Sequence, residues 1–251
     1  MPKATRLVAV LLLTAFVCTA SSAFAAHKPI PQSTPLVSGT SIAGVKLGPN
    51  SVQSTCTLGV TGAPAYIVNY VLPPNDQYYT LVNPADCAAC GGGPVTALDA
   101  NVYLNFRATC SQTISVGIYG LLPGTACPTP DPNQVLCPPI NYTLTPPAPG
   151  NYLFTMALPA GCCISGPAFL KIEFVDAAPG CDQSTTVPRL ITTADCSAAC
   201  SSWNIYPAGG PDDLCVDIGF PGQPNMSLDV DCCNSTPTIK HSWGSLKSTY
   251  R

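Results

Sequence analysis

The chain has 251 residues, a net charge of −3 and only 9% charged residues. Such a chain lacks the basic stripe that nucleic-acid binding requires, and its charge pattern does not point to an anionic membrane surface. Its 28 prolines and 20 glycines interrupt the chain too often for long helices. The length is sufficient to bury a core, so we expect a turn-rich globular protein that makes no nucleic-acid contacts.

Residues 1–25 have the pattern of an export signal. A basic start precedes an apolar run over residues 7–17, and residues 23–25 read Ala-Phe-Ala, a sequence that signal peptidases accept. A transmembrane helix needs roughly 20 apolar residues, so this run is too short to span a bilayer. We predict cleavage after Ala25 or Ala26, a secreted or cell-surface location, and no transmembrane segment in the mature chain.

Cysteine is the strongest signal in the sequence. Of fifteen cysteines, Cys18 lies in the predicted signal, which leaves fourteen in the mature chain. An even number in an exported protein predicts a framework of up to seven disulfides, although the pairing cannot be read from the sequence. The predicted disulfide residues are Cys56, Cys87, Cys90, Cys110, Cys127, Cys137, Cys162, Cys163, Cys181, Cys196, Cys200, Cys215, Cys232 and Cys233.

The spacing of some cysteines also suits zinc. Residues 87 and 90, and residues 196 and 200, are spaced like zinc ligands, but an oxidising compartment favours disulfides over free thiolates. Residues 162–163 and 232–233 are adjacent cysteine pairs. A bond between neighbours is strained, so we expect each member to bond a different partner.

Apolar and polar residues alternate in segments bounded by glycine and proline. In the clearest segment the apolar positions are Leu98, Ala100, Val102, Leu104 and Phe106. The same pattern recurs at residues 114–118, 152–158, 168–174, 214–218 and 226–230. A period of two between turns is typical of half-buried antiparallel strands. We count nine or ten strands and predict a disulfide-rich, all-β antiparallel β-sandwich of the jelly-roll type.

The predicted organisation has four parts. Residues 1–25 are the signal, residues 26–48 a proline-rich extended arm with a short strand at Ile42–Leu47, residues 49–233 the β-sandwich, and residues 234–251 a polar linker and tail. Two segments inside the sandwich, Leu81 to Cys87 and Leu190 to Cys196, resemble each other. We interpret them as equivalent strand-to-loop corners, one in each sheet.

Few residues suit catalysis. The mature histidines are His27 and His241, near the two ends, so a Ser-His-Asp or Cys-His arrangement has no base in the core. Glu173 is the single glutamate, and a hydrolase would have to use an aspartate pair or Glu173 with one aspartate. We therefore predict no catalytic residues and no cofactor, except that calcium could bind.

Calcium would bind through carboxylates near strand ends. Asp212, Asp213 and Asp217 supply such hard oxygen ligands, and Asp229 with Asp231 are a second group. The alternative is that these aspartates cap turns, which is a common role for aspartate.

Tyrosines provide a candidate ligand site. We expect exposed rings at Tyr78, Tyr79, Tyr103 and Tyr119. Asn101 and Asn105 lie beside Tyr103 in the strand pattern, and rings flanked by amides can stack on sugars. The candidate binding residues are therefore Tyr103, Tyr119, Asn101 and Asn105, and the alternative is that tyrosine merely suits a half-buried sheet surface.

Four strand motifs carry a resemblance to a known kind of domain. They are Leu98-x-x-x-Val102-x-Leu104, the run from Ile114 to Tyr119, Gly150-Asn151-Tyr152-x-Phe154, and the run from Gly166 to Ile172. Residues 95–174 thereby resemble the jelly-roll sandwiches of secreted and surface proteins of bacteria. The resemblance implies an adhesive or carbohydrate-binding module and no catalytic residue.

Three functions remain open at this point. The first is a structural or adhesive extracellular protein that assembles with itself, or with a cell-surface partner, by adding its arm as a strand to a neighbouring sheet. In the alternative, the arm folds onto its own domain as an ordinary edge strand. The second function is a soluble glycan-binding module, and the third is a hydrolase that uses an aspartate pair.

Overall fold

The computed structural model describes residues 32–37, 39–49, 53–69, 74–177, 181, 186–196, 198–207 and 209–233. The predicted signal, the first residues of the predicted arm, both mature histidines and the tail at residues 234–251 lie outside the described residues.

The described chain consists mainly of β-strands, joined by turns and two short 3-10 segments. The strands are, in chain order, β1 (Gln32–Pro35), β2 (Ile42–Leu47), β3 (Cys56–Gly59), β4 (Tyr66–Asn69), β5 (Asp76–Val82), β6 (Val95–Phe106), β7 (Gln112–Leu121), β8 (Pro130–Leu144), β9 (Gly150–Ala157), β10 (Cys163–Ile164), β11 (Ala168–Ala177), β12 (Arg189–Thr192), β13 (Ser202–Tyr206), β14 (Gly209–Asp213) and β15 (Met226–Cys232). These fifteen strands exceed the predicted nine or ten, because strands of two to four residues are too short to show alternation.

The strands form two sheets. The six-stranded sheet has the order β14-β13-β5-β11-β7-β8, and the nine-stranded sheet has the path β1-β4-β12-β6-β15-β3, with β9 and β10 also paired to β6 and β2 paired to β9. All of these pairings are antiparallel except β2 with β9. The predicted all-β antiparallel sandwich is confirmed, and the jelly-roll connectivity stays a prediction. The two similar corners follow β5 and β12, one in each sheet, as expected.

The core lies between the two sheets and is built from the apolar residues of the alternating strands. Val102, Leu104 and Phe106 on β6 are buried there together with residues of β7, β9, β11 and β15. The pattern changes at the start of β6, where a bulge interrupts the pairing with β15 between Ala97 and Asp99. As a result Ala97 is buried in the core and the predicted Leu98 is only partly buried, because the extra residue reverses the alternation.

The predicted arm is part of this domain over its described residues. Strand β1 pairs with β4, and β2 pairs with β9. Val45 and Leu47 of β2 pack against the core. The arm therefore adopts the alternative arrangement, in which it adds strands to its own sheet.

All fourteen cysteines of the described residues are paired. The disulfides are Cys56–Cys87, Cys90–Cys232, Cys110–Cys181, Cys127–Cys200, Cys137–Cys162, Cys163–Cys233 and Cys196–Cys215. The adjacent cysteines bond to different partners, which confirms that prediction. Seven disulfides indicate an oxidising environment. Within the described residues, no helix is long and apolar enough to cross a membrane.

One predicted strand is wrong. Leu214, Val216 and Ile218 alternate in sequence but form a turn, in which the N–H of Asp217 donates to the Asp213 carbonyl at 2.9 Å. Leu214 and Ile218 are buried, whereas Val216 is 67% exposed. Their spacing of four residues places them on one side of a helical turn, and this pattern is indistinguishable from a strand over so short a segment.

Candidate functional site

A groove of about 410 Å³ crosses the outer face of the nine-stranded sheet. Four neighbouring strands, β9, β6, β15 and β3, supply its floor. The floor residues with side chains suited to binding are Thr57, Asn101, Tyr103, Leu153, Thr155, Ser227 and Asp229. Because strands lie ~4.8 Å apart, a row across four of them spans about 14 Å, which is long enough for a short oligosaccharide.

Hydrogen bonds link the polar residues of the floor into one row. The Thr155 hydroxyl donates to Asn101 Oδ1 at 2.7 Å, and Asn101 Nδ2 donates to Asp229 Oδ2 at 2.9 Å. The Thr57 hydroxyl donates to the other oxygen of Asp229 at 2.6 Å. These contacts hold the four side chains in fixed positions before any ligand binds.

Tyr103 and Leu153 form the apolar part of the floor. They are directly opposite each other on β6 and β9, and both are half-buried. Tyr103 therefore lies beside Asn101 in the groove, as the strand pattern predicts. Asn105 does not line the groove, and its Nδ2 donates to Asn151 Oδ1 at 2.8 Å.

A loop after β3 provides one wall of the groove. Val60, Thr61 and Gly62 line it, and the N–H of Val60 donates to the Met226 carbonyl at 2.9 Å. The Asn225 side chain donates to the Gly62 carbonyl at 2.6 Å. The sequence did not predict this wall, nor Thr57, Leu153 and Thr155, and it indicated Asp229 only as a possible calcium ligand, because residues far apart in sequence meet here.

The prediction of exposed rings at Tyr78, Tyr79 and Tyr119 is wrong. Tyr78 is completely buried in the core between the sheets. Tyr79 and Tyr119 lie in a second apolar cluster with Phe169 and Trp203. Burial raises the pKa of both the Tyr78 and the Tyr79 hydroxyls well above the ordinary value. Tyr119 is therefore not available as a ligand platform.

This second cluster lies on the outer face of the six-stranded sheet. Cys127 and Cys200, which bond to each other, pack against it, and Cys127 belongs to the connection between β7 and β8. Lys171 is also buried, with its Nζ 4.5 Å from the centre of the Tyr119 ring and 2.7 Å from Glu173 Oε2. Lys171 and Glu173 thus form an ion pair beside the ring of Tyr119 on this face.

The aspartates predicted to bind calcium make turn contacts. The two carboxylate oxygens of Asp213 accept hydrogen bonds from the N–H groups of Cys200, Cys215 and Val216 at 2.6, 2.8 and 3.0 Å. Asp217 accepts a bond from the N–H of Asp213 at 2.8 Å. These contacts support turn capping, and calcium binding at Asp212, Asp213 and Asp217 stays a prediction.

Two further arrangements bear on metals and catalysis. Among the described residues, the sulfurs of Cys56, Cys87 and Cys90 are close enough to hold an ion, but each of these cysteines is in a disulfide.

Asp99 and Asp229 are directly opposite each other on β6 and β15. Asp99 is buried with Oδ2 3.9 Å from Lys46 Nζ, and both oxygens of Asp229 accept hydrogen bonds.

The fold and the groove define a disulfide-rich, all-β protein of the sandwich type with a polar groove on one outer sheet face. Comparisons with protein-family models, with curated proteins and with solved structures give no significant match for this chain.

Proposed function

We propose that the protein is a secreted, non-catalytic module that binds a glycan in the groove on its nine-stranded sheet. The observation that carries the proposal is the combination of an apolar platform, Tyr103 with Leu153, and a hydrogen-bonded polar row beside it. Sugar rings have apolar faces and polar edges, so this arrangement complements both parts of a ring. The predicted export signal and the seven disulfides support a location outside the cytoplasm for such a module.

Preorganisation supports this proposal. Asn101 is only 8% exposed and is held between Thr155 and Asp229. Its position on a strand in the middle of a sheet, stapled by disulfides, limits the entropy that the site loses when a ligand binds. A rigid, wide and open groove suits an extended, weakly bound ligand better than a small molecule that must be enclosed.

A screen of immobilised oligosaccharides, followed by calorimetry on the best ligands, tests the proposal. We expect Tyr103→Ala to abolish measurable binding, because the ring provides most of the apolar contact. Tyr66→Ala is the matched control, since Tyr66 is a half-buried tyrosine of the same sheet that does not line the groove. Absence of binding across the panel, or equal binding by the Tyr103 variant, would contradict the proposal. Hydrolysis of the same oligosaccharides would support the aspartate-pair hydrolase instead.

A second candidate is self-assembly by exchange of the N-terminal strands. Strand β2 is close to the N-terminus and, in the described residues, pairs with β9 alone. Its Val45 and Leu47 pack on the core. The same strand from another copy would make the same contacts, so exchange between copies would give a structural or adhesive polymer with no new interface.

Light scattering on three forms tests the exchange. We expect the mature chain and a form without residues 234–251 to grow in mass with concentration, whereas a form without residues 27–48 stays monomeric. The tail deletion is the control for the loss of a terminal segment. Monomers in all three forms at high concentration, and no filaments by electron microscopy, would exclude self-assembly.

A further inference from the structure

The donor and the acceptor of each hydrogen bond in the groove can be assigned. Asp229 is a carboxylate and can only accept, so Asn101 must turn its amide nitrogen toward Asp229 and its carbonyl oxygen toward Thr155. The hydroxyls of Thr155 and Thr57 then each donate into the row. Three donors are thereby used inside the protein, and the row ends on Asp229.

What the row offers to a ligand is therefore mostly acceptors. The oxygens of Thr57 and Thr155 keep their lone pairs after donating their single protons, and the Asp229 carboxylate has more acceptor positions than the two bonds it receives. The donors that remain are the second amide N–H of Asn101 and the hydroxyls of Ser227 and Tyr103 beside the row, each of which can also accept. A ligand that matches this pattern must donate hydrogen bonds, as the hydroxyls of a sugar do.

The charge of the groove also favours ligands that donate hydrogen bonds over anionic ligands. Among the described residues that line it, Asp229 is the one with a charged side chain. A cation beside the groove is Lys46, whose Cα pairs with that of Thr155, and its Nζ lies 3.9 Å from Asp99 Oδ2. Lys46 is thus balanced by Asp99, and the charge of Asp229 is not compensated within the groove.

We infer that the groove selects neutral glycans over acidic ones, a conclusion that rests on the proposed function. A carboxylate or sulfate on a sugar accepts hydrogen bonds but donates none, so it finds few partners in the row. It also meets the charge of Asp229 at short range, and like charges repel more strongly in a partly desolvated groove than in water. The discrimination is a property of Asp229, and Tyr103 contributes affinity for both kinds of sugar.

Calorimetry with paired ligands tests this inference. The probes are oligomers of mannose, glucose and galactose, each compared with the corresponding uronic acid oligomer, at low ionic strength. We expect the neutral member of a pair that binds to bind at least roughly tenfold more tightly than the acidic member. Asp229→Asn should reduce this ratio several-fold by improving the acidic ligand, since the amide keeps the size of the side chain and removes its charge.

Asp231→Asn is the matched control, because Asp231 lies two residues further along β15 on the same face and outside the groove. It removes the same charge from the protein but should leave most of the ratio intact. If the acidic member binds equally or better, or if both variants change the ratio equally, the inference is wrong while glycan binding stands. If no oligomer of either kind binds, the proposed function fails and the inference fails with it.

Discussion

The outer faces of the two sheets have the same kind of strand pattern but different surroundings. On the nine-stranded sheet the face carries the groove, with Tyr103 half-buried beside Asn101. On the six-stranded sheet Tyr79 and Phe169 occupy equivalent outward positions yet are completely buried. The difference lies in what covers them, because a connection stapled by Cys127–Cys200 packs over the second face.

This comparison shows that alternation assigns a residue to a face of a sheet, whereas long-range contacts decide whether that face meets solvent. Tyrosine suits both situations, since its ring packs against apolar neighbours and its hydroxyl bonds to a polar group. The Tyr79 hydroxyl, for example, donates to Gln77 at 2.6 Å. A tyrosine in an alternating strand is therefore weak evidence for a binding platform.

The largest expected effect comes from opening the covered face. Phe169→Ala should destabilise the fold by about 3–5 kcal/mol, because it leaves a cavity where a fully buried ring contacts Tyr79 and Tyr119. Tyr103→Ala on the other face should cost no more than about 1 kcal/mol. Urea unfolding of both variants with disulfides intact measures the two changes. Equal losses would mean that the two faces are covered to the same extent.

Removing the Cys127–Cys200 disulfide should have the next largest effect on stability. Replacing Cys127 and Cys200 together by alanine should cost roughly 2–4 kcal/mol. The same change at Cys110 and Cys181 is the control, because the two loops have similar sequence separations of 73 and 71 residues.

The two disulfide variants should differ in tryptophan fluorescence. In a Trp243→Phe background, Trp203 reports on the covered cluster. Its emission should shift to longer wavelength in the Cys127/Cys200 variant and stay unchanged in the Cys110/Cys181 variant. An unchanged spectrum in both would show that the connection stays in place without its disulfide.

A smaller effect is expected at Asp213, which holds the backbone of Cys200 close to the covered face. Asp213→Ala leaves three backbone N–H groups without their acceptor and should cost about 1–3 kcal/mol. Thermal unfolding with calcium and with a chelator separates the two interpretations of this aspartate. A loss that is the same in both conditions supports capping, whereas stabilisation of the parent alone by calcium supports a metal site.

The smallest effect concerns Asp231 on the open face. The Thr55 hydroxyl and the N–H of Cys232 hold the pKa of its carboxyl below the ordinary value of 3.8. Because the pKa is lower in the folded than in the unfolded state, the stabilisation is present above the unfolded pKa and is lost as pH falls through the folded pKa.

Replacing Thr55 by valine tests this pH dependence. Thr55→Val should slightly lower stability near neutral pH, and the gap to the parent should close below about pH 4. Urea unfolding over a pH series follows the gap, with Thr40→Val as the control, since Thr40 donates to the Val37 carbonyl and not to a carboxylate. A gap at Thr55 that persists unchanged into acid would show that the carboxylate is not its cause.

A small part of the candidate site could be predicted from the sequence, but most of its residues could not. The alternation on β6 placed Asn101 and Tyr103 on one outward face, which the structure bears out. Thr57 and Asp229 could not be added, because they are 172 residues apart and meet only through the pairing of β3 with β15. Tyr119 was wrongly predicted to be exposed for a related reason. The residues that pack against its ring come from other parts of the chain.

The sequence by itself determined the all-β class, the full use of the mature cysteines in disulfides and the inner faces of the long strands. Each of these follows from local spacing, from composition or from a count. Only the tertiary structure decided which cysteines pair, where the arm lies, and which outer face is closed and which carries a groove. These depend on strand order and on contacts between distant residues, and a period of two along one strand carries no information about its neighbours.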